Sequence, residues 1–103
     1  SEMCIRDRPY GAAKAGVIGL AKGLARELLP SEITVNCIAP SMAMTDLLDG
    51  MSAEYIADKK SRIPMGRLCT PEEIANVAAF IASPAGSFTT GQVFDVTGGR
   101  ATW

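Results

Sequence analysis

At 103 residues the chain has room for one small domain, and 48% apolar with 20% charged residues is the make-up of a folded globular protein rather than a disordered one. Ten basic against eleven acidic residues leave a net charge of −1, so no basic surface for nucleic acid is implied, and no apolar run approaches the roughly 20 residues of a membrane span. Histidine is absent, which removes His-based triads, His metal sites and a His pH switch in one step.

Residues 1–8, S-E-M-C-I-R-D-R, have no apolar core and no small-residue cleavage site, so they are not a signal peptide. They fit neither helix nor strand periodicity. They read as a foreign leader or a disordered arm, and the domain is placed at residues 9–103. From Tyr10 to Leu29 the pattern is helical: Tyr10, Lys14, Val17, Ile18, Ala21, Leu24, Ala25 and Leu28 recur at spacings of three and four. Pro9 suits a first turn and Pro30 ends the helix. Val17, Leu20, Leu24 and Leu28 form an apolar face that suits either an interface or a core.

Ile33–Ala39 is short and β-branched and stops at Pro40, which predicts a strand. A strand directly after a long amphipathic helix points to a crossover onto a parallel sheet. Residues 40–64 are irregular and Met-rich, with a short helix over 52–60 capped by Ser52; so long a connection reads as a lid or binding segment. Thr70-Pro71-Glu72-Glu73 is a helix start with Thr70 as N-cap, Pro71 at N1 and Glu73 completing a capping box. Ile74, Val77, Ala78 and Ile81 supply its apolar stripe, and Ser83-Pro84-Ala85-Gly86 ends it. Gln92–Val96 is a second strand, closed by Gly98-Gly99. The order is helix, strand, lid, helix, strand. Two strands are too few for a stable open sheet. The inference is a C-terminal piece of a larger α/β domain that buries its apolar faces poorly alone.

Cys4, Cys37 and Cys69 are an odd number with no C-x-x-C pair, which suits reduced thiols in a cytoplasmic protein rather than a disulfide framework or a zinc site. Tyr10 and Lys14, four apart on one helical face, have a chemical use. A tyrosine with a pKa of about 10 is a poor catalyst at neutral pH, and an adjacent ammonium favours the phenolate. Such a phenol gives a proton to a carbonyl oxygen as hydride arrives, or takes one from an alcohol. By itself the spacing is a weak signal, and the pair reads first as an aromatic on a core face beside a snorkelling lysine.

The wider set decides more. Tyr10-Gly11-Ala12-Ala13-Lys14-Ala15-Gly16-Val17 is followed by Ile33-Thr34-Val35-Asn36-Cys37-Ile38-Ala39-Pro40 and Thr45-Asp46. Pro64-Met65-Gly66-Arg67, Pro71-Glu72-Glu73-Ile74-Ala75, Gly91 and Asp95-Val96-Thr97-Gly98-Gly99 come next. In this order the motifs resemble the C-terminal part of the short-chain dehydrogenase/reductase family, nearest the 3-oxoacyl-[acyl-carrier-protein] reductase-like members, from about Pro9 to Gly99. The resemblance implies an α/β fold, the C-terminal part of a Rossmann-type doubly wound parallel sheet binding NAD or NADP. It implies Tyr10 as catalytic acid/base and Lys14 on the nicotinamide ribose. Pro40 and Ser41 carry the chain to the nicotinamide, the Ala43 backbone meets the carboxamide, and the Thr45 hydroxyl lies near the carboxamide or phosphates. Residues 45–62 become a mobile substrate lid, whose methionines suit an adaptable apolar pocket or ordinary packing.

Ser41 departs from the Gly usual after the strand-ending Pro, Cys69 stands where a small residue is common, and Ala43 is smaller than the usual branched residue. The family's glycine-rich phosphate loop, cofactor-selecting residue and catalytic Ser and Asn lie upstream of Tyr10 and are not among these residues; Ser1 takes no role. The expectation is an NAD(P)-dependent oxidoreductase of small carbonyl or alcohol substrates, cytoplasmic, a homodimer or homotetramer when whole, and inactive as this chain alone. The alternatives are a non-catalytic NAD(P)-sensing or assembly domain and a chance likeness in a small α/β module.

Overall fold

The computed structural model describes the backbone of residues 2–41 and 43–101 and the side chains of residues 11–41, 43–46 and 48–101. Helix α1 (Glu2–Leu28), strand β1 (Cys37–Pro40), helix α2 (Ala53–Ser61), helix α3 (Pro71–Ala82) and strand β2 (Val93–Val96) follow one another. Short 3-10 turns stand at Leu29–Ser31, Asp46–Gly50 and Pro84–Gly86. The chain divides into two compact units, Ser1–Cys37 with Phe88–Val93 and Ile38–Ser87 with Phe94–Trp103.

In the first unit α1 reaches back to Glu2, through the segment that its sequence pattern leaves outside any element. Pro9 therefore lies inside the helix rather than at its first turn, and one amide-to-carbonyl bond is missing there. The inward stripe of the described part is Lys14, Ile18, Ala21, Ala25 and Leu28, half-buried or buried at spacings of three and four. Val17 and Leu20, exposed at 60% and 64%, stand off that stripe. Small Ala25 is buried because Gly91 packs on it: a Cβ built on Gly91 lies 3.6 Å from that of Ala25.

Strand β1 is shorter than the β-branched run that predicts it. Val35 and Asn36 are held by other means. The Val35 N–H donates to Thr90 Oγ1 at 3.0 Å, and its carbonyl accepts from the Gly91 N–H at 2.7 Å. The Asn36 side chain donates to Thr89 O at 3.2 Å and accepts from the Gln92 N–H at 3.1 Å. A side chain that takes the partner's backbone groups displaces the ladder there, so pairing begins one residue later on each strand. The Cys37 N–H donates to Gln92 O at 2.9 Å, and the Ser41 N–H donates to Val96 O at 3.0 Å. Each step is four residues along both chains, so the strands run parallel. Pro40, with no N–H to give, ends β1.

In the second unit both predicted caps form. Ser52 accepts from the Tyr55 N–H at 3.1 Å, and Thr70 and Glu73 make the reciprocal capping box with Pro71 at N1. The core sits in the connection between α2 and α3, where Ile63, Leu68 and Cys69 are 4%, 2% and 8% exposed. Among the described residues these three and Ala25 are the buried apolar ones, while Phe80, Met65 and Phe88 stay exposed. Phe80 meets Phe94 edge-on, ring centroids 6.4 Å apart.

Residues 63–65 close over the turn that ends β2. The Met65 N–H donates to Gly98 O at 3.0 Å. Gly98 and Gly99 have φ of +63° and +93°, and a Cβ on Gly98 would lie 2.7 Å from Ile63 Cγ2. Conformation and space both demand glycine. Gly98→Ala is expected to destabilise the fold by about 1–3 kcal/mol, read as a lower urea midpoint; an unchanged midpoint contradicts this packing.

Candidate functional site

Because β1 and β2 run the same way, the segments that leave them, Ser41–Thr45 and Thr97–Gly99, start from the same end. Ligands of open parallel sheets bind beyond the carboxyl ends of the strands. A cavity of about 280 Å³ opens there, walled by Ser41, Thr97 and Gly98 and by Met65, Arg67 and Cys69. That is at the small end of ligand pockets, space for a ring-sized part of a ligand. A second hollow, about 390 Å³, lies in the first unit between α1 and Gly91, where Lys22 Nζ donates to the Gly91 carbonyl at 2.7 Å.

The segment after β1 is fixed by backbone bonds. Ala43 forms a parallel bridge with Cys69, and the Met44 N–H donates to Cys69 O at 2.8 Å. In a trans amide N–H and C=O point opposite ways, so the Ala43 carbonyl is turned away from Cys69. Thr45 is exposed, and its backbone rather than its hydroxyl starts the next 3-10 turn, accepting from the Leu48 N–H at 3.0 Å.

Cys69 is gripped in turn. Arg67 donates with both guanidinium nitrogens to the two Glu73 oxygens, at 2.8 and 2.9 Å, and also to Leu68 O at 3.2 Å. Glu73 Oε1 accepts from the Thr70 N–H at 2.9 Å. The Arg67 hydrogen bonds first, then the Thr70 N–H, hold the Glu73 carboxyl down to about 2, and Arg67 is raised in return. Burial, and then the Glu73 charge, push the Cys69 thiol up, and its Sγ donates to Thr70 O at 3.3 Å. That is the setting of an inert structural thiol.

The family model described as Enoyl-(Acyl carrier protein) reductase matches residues 2–101. The chain belongs to the short-chain dehydrogenase/reductase family. It is 48% identical over 92 residues to a 3-oxoacyl-[acyl-carrier-protein] reductase of Chlamydia muridarum, covering 89% of this chain and 37% of that protein. An uncharacterized short-chain type dehydrogenase/reductase of Sinorhizobium fredii is 48% identical over 91 residues, 87% of this chain and 36% of its own length. The crystal structure of a 3-oxoacyl-[acyl-carrier protein] reductase from Brucella melitensis superposes with a TM-score of 0.84 at 41% identity, covering 91% of this chain and 35% of that one. The chain thus spans little more than a third of the relatives it matches. Its fold is part of a Rossmann-type α/β domain, as the parallel strands and these neighbours show.

Against the family's pattern, the structure brings Pro40, Ser41, Ala43 and Thr45 into one stretch of the second unit, half-buried at Ser41 and Ala43 and exposed at Pro40 and Thr45. Tyr10 and Lys14 lie on α1 in the first unit; the helix is unbroken between them, so the two positions share a face. Lys14 is half-buried, and the Tyr10 side chain is outside the described residues. Among the described residues no cluster of Cys, Asp and Glu suits a metal ion, and no helix is long and apolar enough to cross a membrane. Sequence reasoning misses the Arg67–Glu73 pair and the Ala43–Cys69 bridge. Glu73 is legible as a cap, but a partner six residues back in a loop has no periodic signal.

Arg67 and Thr70 favour the ionised Glu73, so their bonds to it persist above the ordinary carboxyl range and are lost only as pH falls toward about 2. A side-chain carboxyl NMR titration is expected to place the Glu73 midpoint near 2, and Arg67→Ala to move it up toward the usual value of about 4.3. A midpoint that Arg67→Ala leaves unmoved refutes the assignment.

Proposed function

We propose that this chain is the proton-transferring and nicotinamide-facing part of an NAD(P)-dependent oxidoreductase that reduces a ketone or oxidises a secondary alcohol by hydride transfer. The observation that carries the reading is the unbroken helix through Tyr10 and Lys14, which sets a phenol and an ammonium position on one face. The match over residues 2–101 supports it, as does a neighbour that is an NADPH dependent reductase, superposing with a TM-score of 0.78 at 33% identity.

The residues beyond β1 fit the carboxamide of a nicotinamide. The Ala43 carbonyl, turned away from Cys69, is an acceptor for the amide NH2, and the exposed Thr45 hydroxyl both donates and accepts. Ser41 in place of the usual Gly is accommodated: its N–H still pairs with Val96. When bound, the nicotinamide supplies or accepts the hydride. Tyr10 gives its phenolic proton to the carbonyl oxygen during reduction and takes it back from the alcohol during oxidation. Lys14 stabilises the phenolate left behind and hydrogen-bonds the nicotinamide ribose. Residues 45–62 cover the substrate, with Met51 within them and Met44 beside them presenting adaptable apolar surface. The substrate is a small carbonyl or alcohol compound and the assembly a homodimer or homotetramer. The compartment is the reducing cytoplasm, which the free thiols of Cys37 and Cys69 suit.

With the chain joined behind the upstream two thirds of a similar reductase, Tyr10→Phe is expected to lower turnover by about a thousandfold while cofactor affinity stays within about twofold. Near-normal turnover overturns the proton-transfer role, and intact cofactor binding with no turnover before the substitution favours the sensing alternative. The 103-residue chain by itself is inactive in this reading and binds NADPH weakly or not at all. A micromolar isotherm by titration calorimetry on the chain alone contradicts that.

A further inference from the structure

We infer that the Arg67–Glu73 pair is a positioning device that sets the direction of the Ala43 carbonyl through two relayed peptide groups, Cys69–Thr70 and Ala43–Met44. The inference rests on the proposed contact between the Ala43 backbone and the nicotinamide carboxamide, and makes residues 67 and 73 determinants of how that ring is held.

Glu73 Oε1 takes the Thr70 N–H at 2.9 Å. That N–H shares a planar amide with the Cys69 carbonyl, and no described peptide bond is cis, so fixing the one direction fixes the other. The Cys69 carbonyl takes the Met44 N–H at 2.8 Å. The Met44 N–H shares its amide with the Ala43 carbonyl, which is thereby aimed to the opposite side. Hydrogen bonds in such a chain polarise one another.

What keeps the first link from rotating is Arg67. Its fork holds both Glu73 oxygens, at 2.8 and 2.9 Å, and the same guanidinium holds Leu68 O at 3.2 Å. The pair therefore grips the peptide groups on both sides of Cys69. Leu68 and Cys69 are buried at 2% and 8% exposure, which leaves the link little slack. The two charged side chains are themselves 56% and 40% exposed, and an ion pair that open to water adds little stability. Its bidentate geometry, rather than its energy, is what the segment uses.

The first readout needs no cofactor: amide hydrogen exchange at Met44 in this chain. Glu73→Ala is expected to speed it about tenfold. Glu73→Gln, which keeps an oxygen for the Thr70 N–H, holds it within about threefold. The charge-exchanged pair Arg67→Glu with Glu73→Arg is expected to stay fast, because arginine at 73 offers the Thr70 N–H no acceptor. Unchanged exchange in Glu73→Ala, or rescue by the exchanged pair, overturns the relay. Should Glu73→Ala fail to fold, Arg67→Ala carries the same test, with exchange sped about threefold and no change at all counting against it.

The second readout is taken on the chain completed with the upstream part of a similar reductase. Glu73→Ala is expected to lower kcat about tenfold at unchanged substrate KM and to leak hydride transfer to the opposite ring face, and Glu73→Gln to restore both. A purely structural role lowers the folded fraction and leaves the face selectivity intact, which would sink the inference. Loss of the proton-transfer reading, by contrast, shows only in Tyr10→Phe and leaves the Met44 result standing.

Discussion

The peptide group between Cys69 and Thr70 is the joint on which the second unit depends. Its N–H is held by Glu73 and its carbonyl by the Met44 N–H, at 2.9 and 2.8 Å. One side of this joint starts a helix; the other captures the chain that has just left a strand. A buried peptide must satisfy both of its polar ends, and here the two obligations tie α3 to residues 43–44. The capping box is therefore more than a helix start. The glutamate that closes it also orients backbone outside the helix, and the arginine that braces it comes from the loop before.

The strand ends show the same economy of parts. Parallel pairing brings Ser41 and Thr97 to one edge, and the Gly98-Gly99 turn lets residues 63–65 approach close enough for Met65 to wall the cavity. Large side chains there would hold the loop off. The buried residues Ile63, Leu68 and Cys69 cluster in this connection rather than under a helix. Much of the remaining apolar surface, on α1 and around Phe80 and Phe88, stays exposed, as a two-stranded part of a larger parallel sheet requires. The small share of each relative's length that the chain spans accords with this.

Local chemistry was legible and non-local chemistry was not. Ser52 and Thr70 with Glu73 act within three residues of themselves, and the left-handed φ of Gly98-Gly99 is a local turn property, so their types alone announce them, although not the distant Ile63 that packs on Gly98. The β-branched run from Ile33 promised a longer strand than forms, because Asn36 spends its side chain on the neighbouring segment, fifty-odd residues away. No single-residue preference carries that information. Residues 2–8 have no helical periodicity, yet the helix runs through them, since backbone hydrogen bonding continues a helix once it has begun.

The sequence by itself determined the element order, the caps, the shared face of Tyr10 and Lys14 and the likeness to a reductase family, because spacing along a helix or turn is a property of a few consecutive residues. Only the tertiary structure decided that Arg67 braces Glu73, that Cys69 is the partner of Ala43, and that the Ala43 carbonyl is thereby aimed away from its own support. Those facts depend on which groups outside a helical or turn spacing come within three ångströms of each other. Chain closure and packing settle that, and residue preference does not.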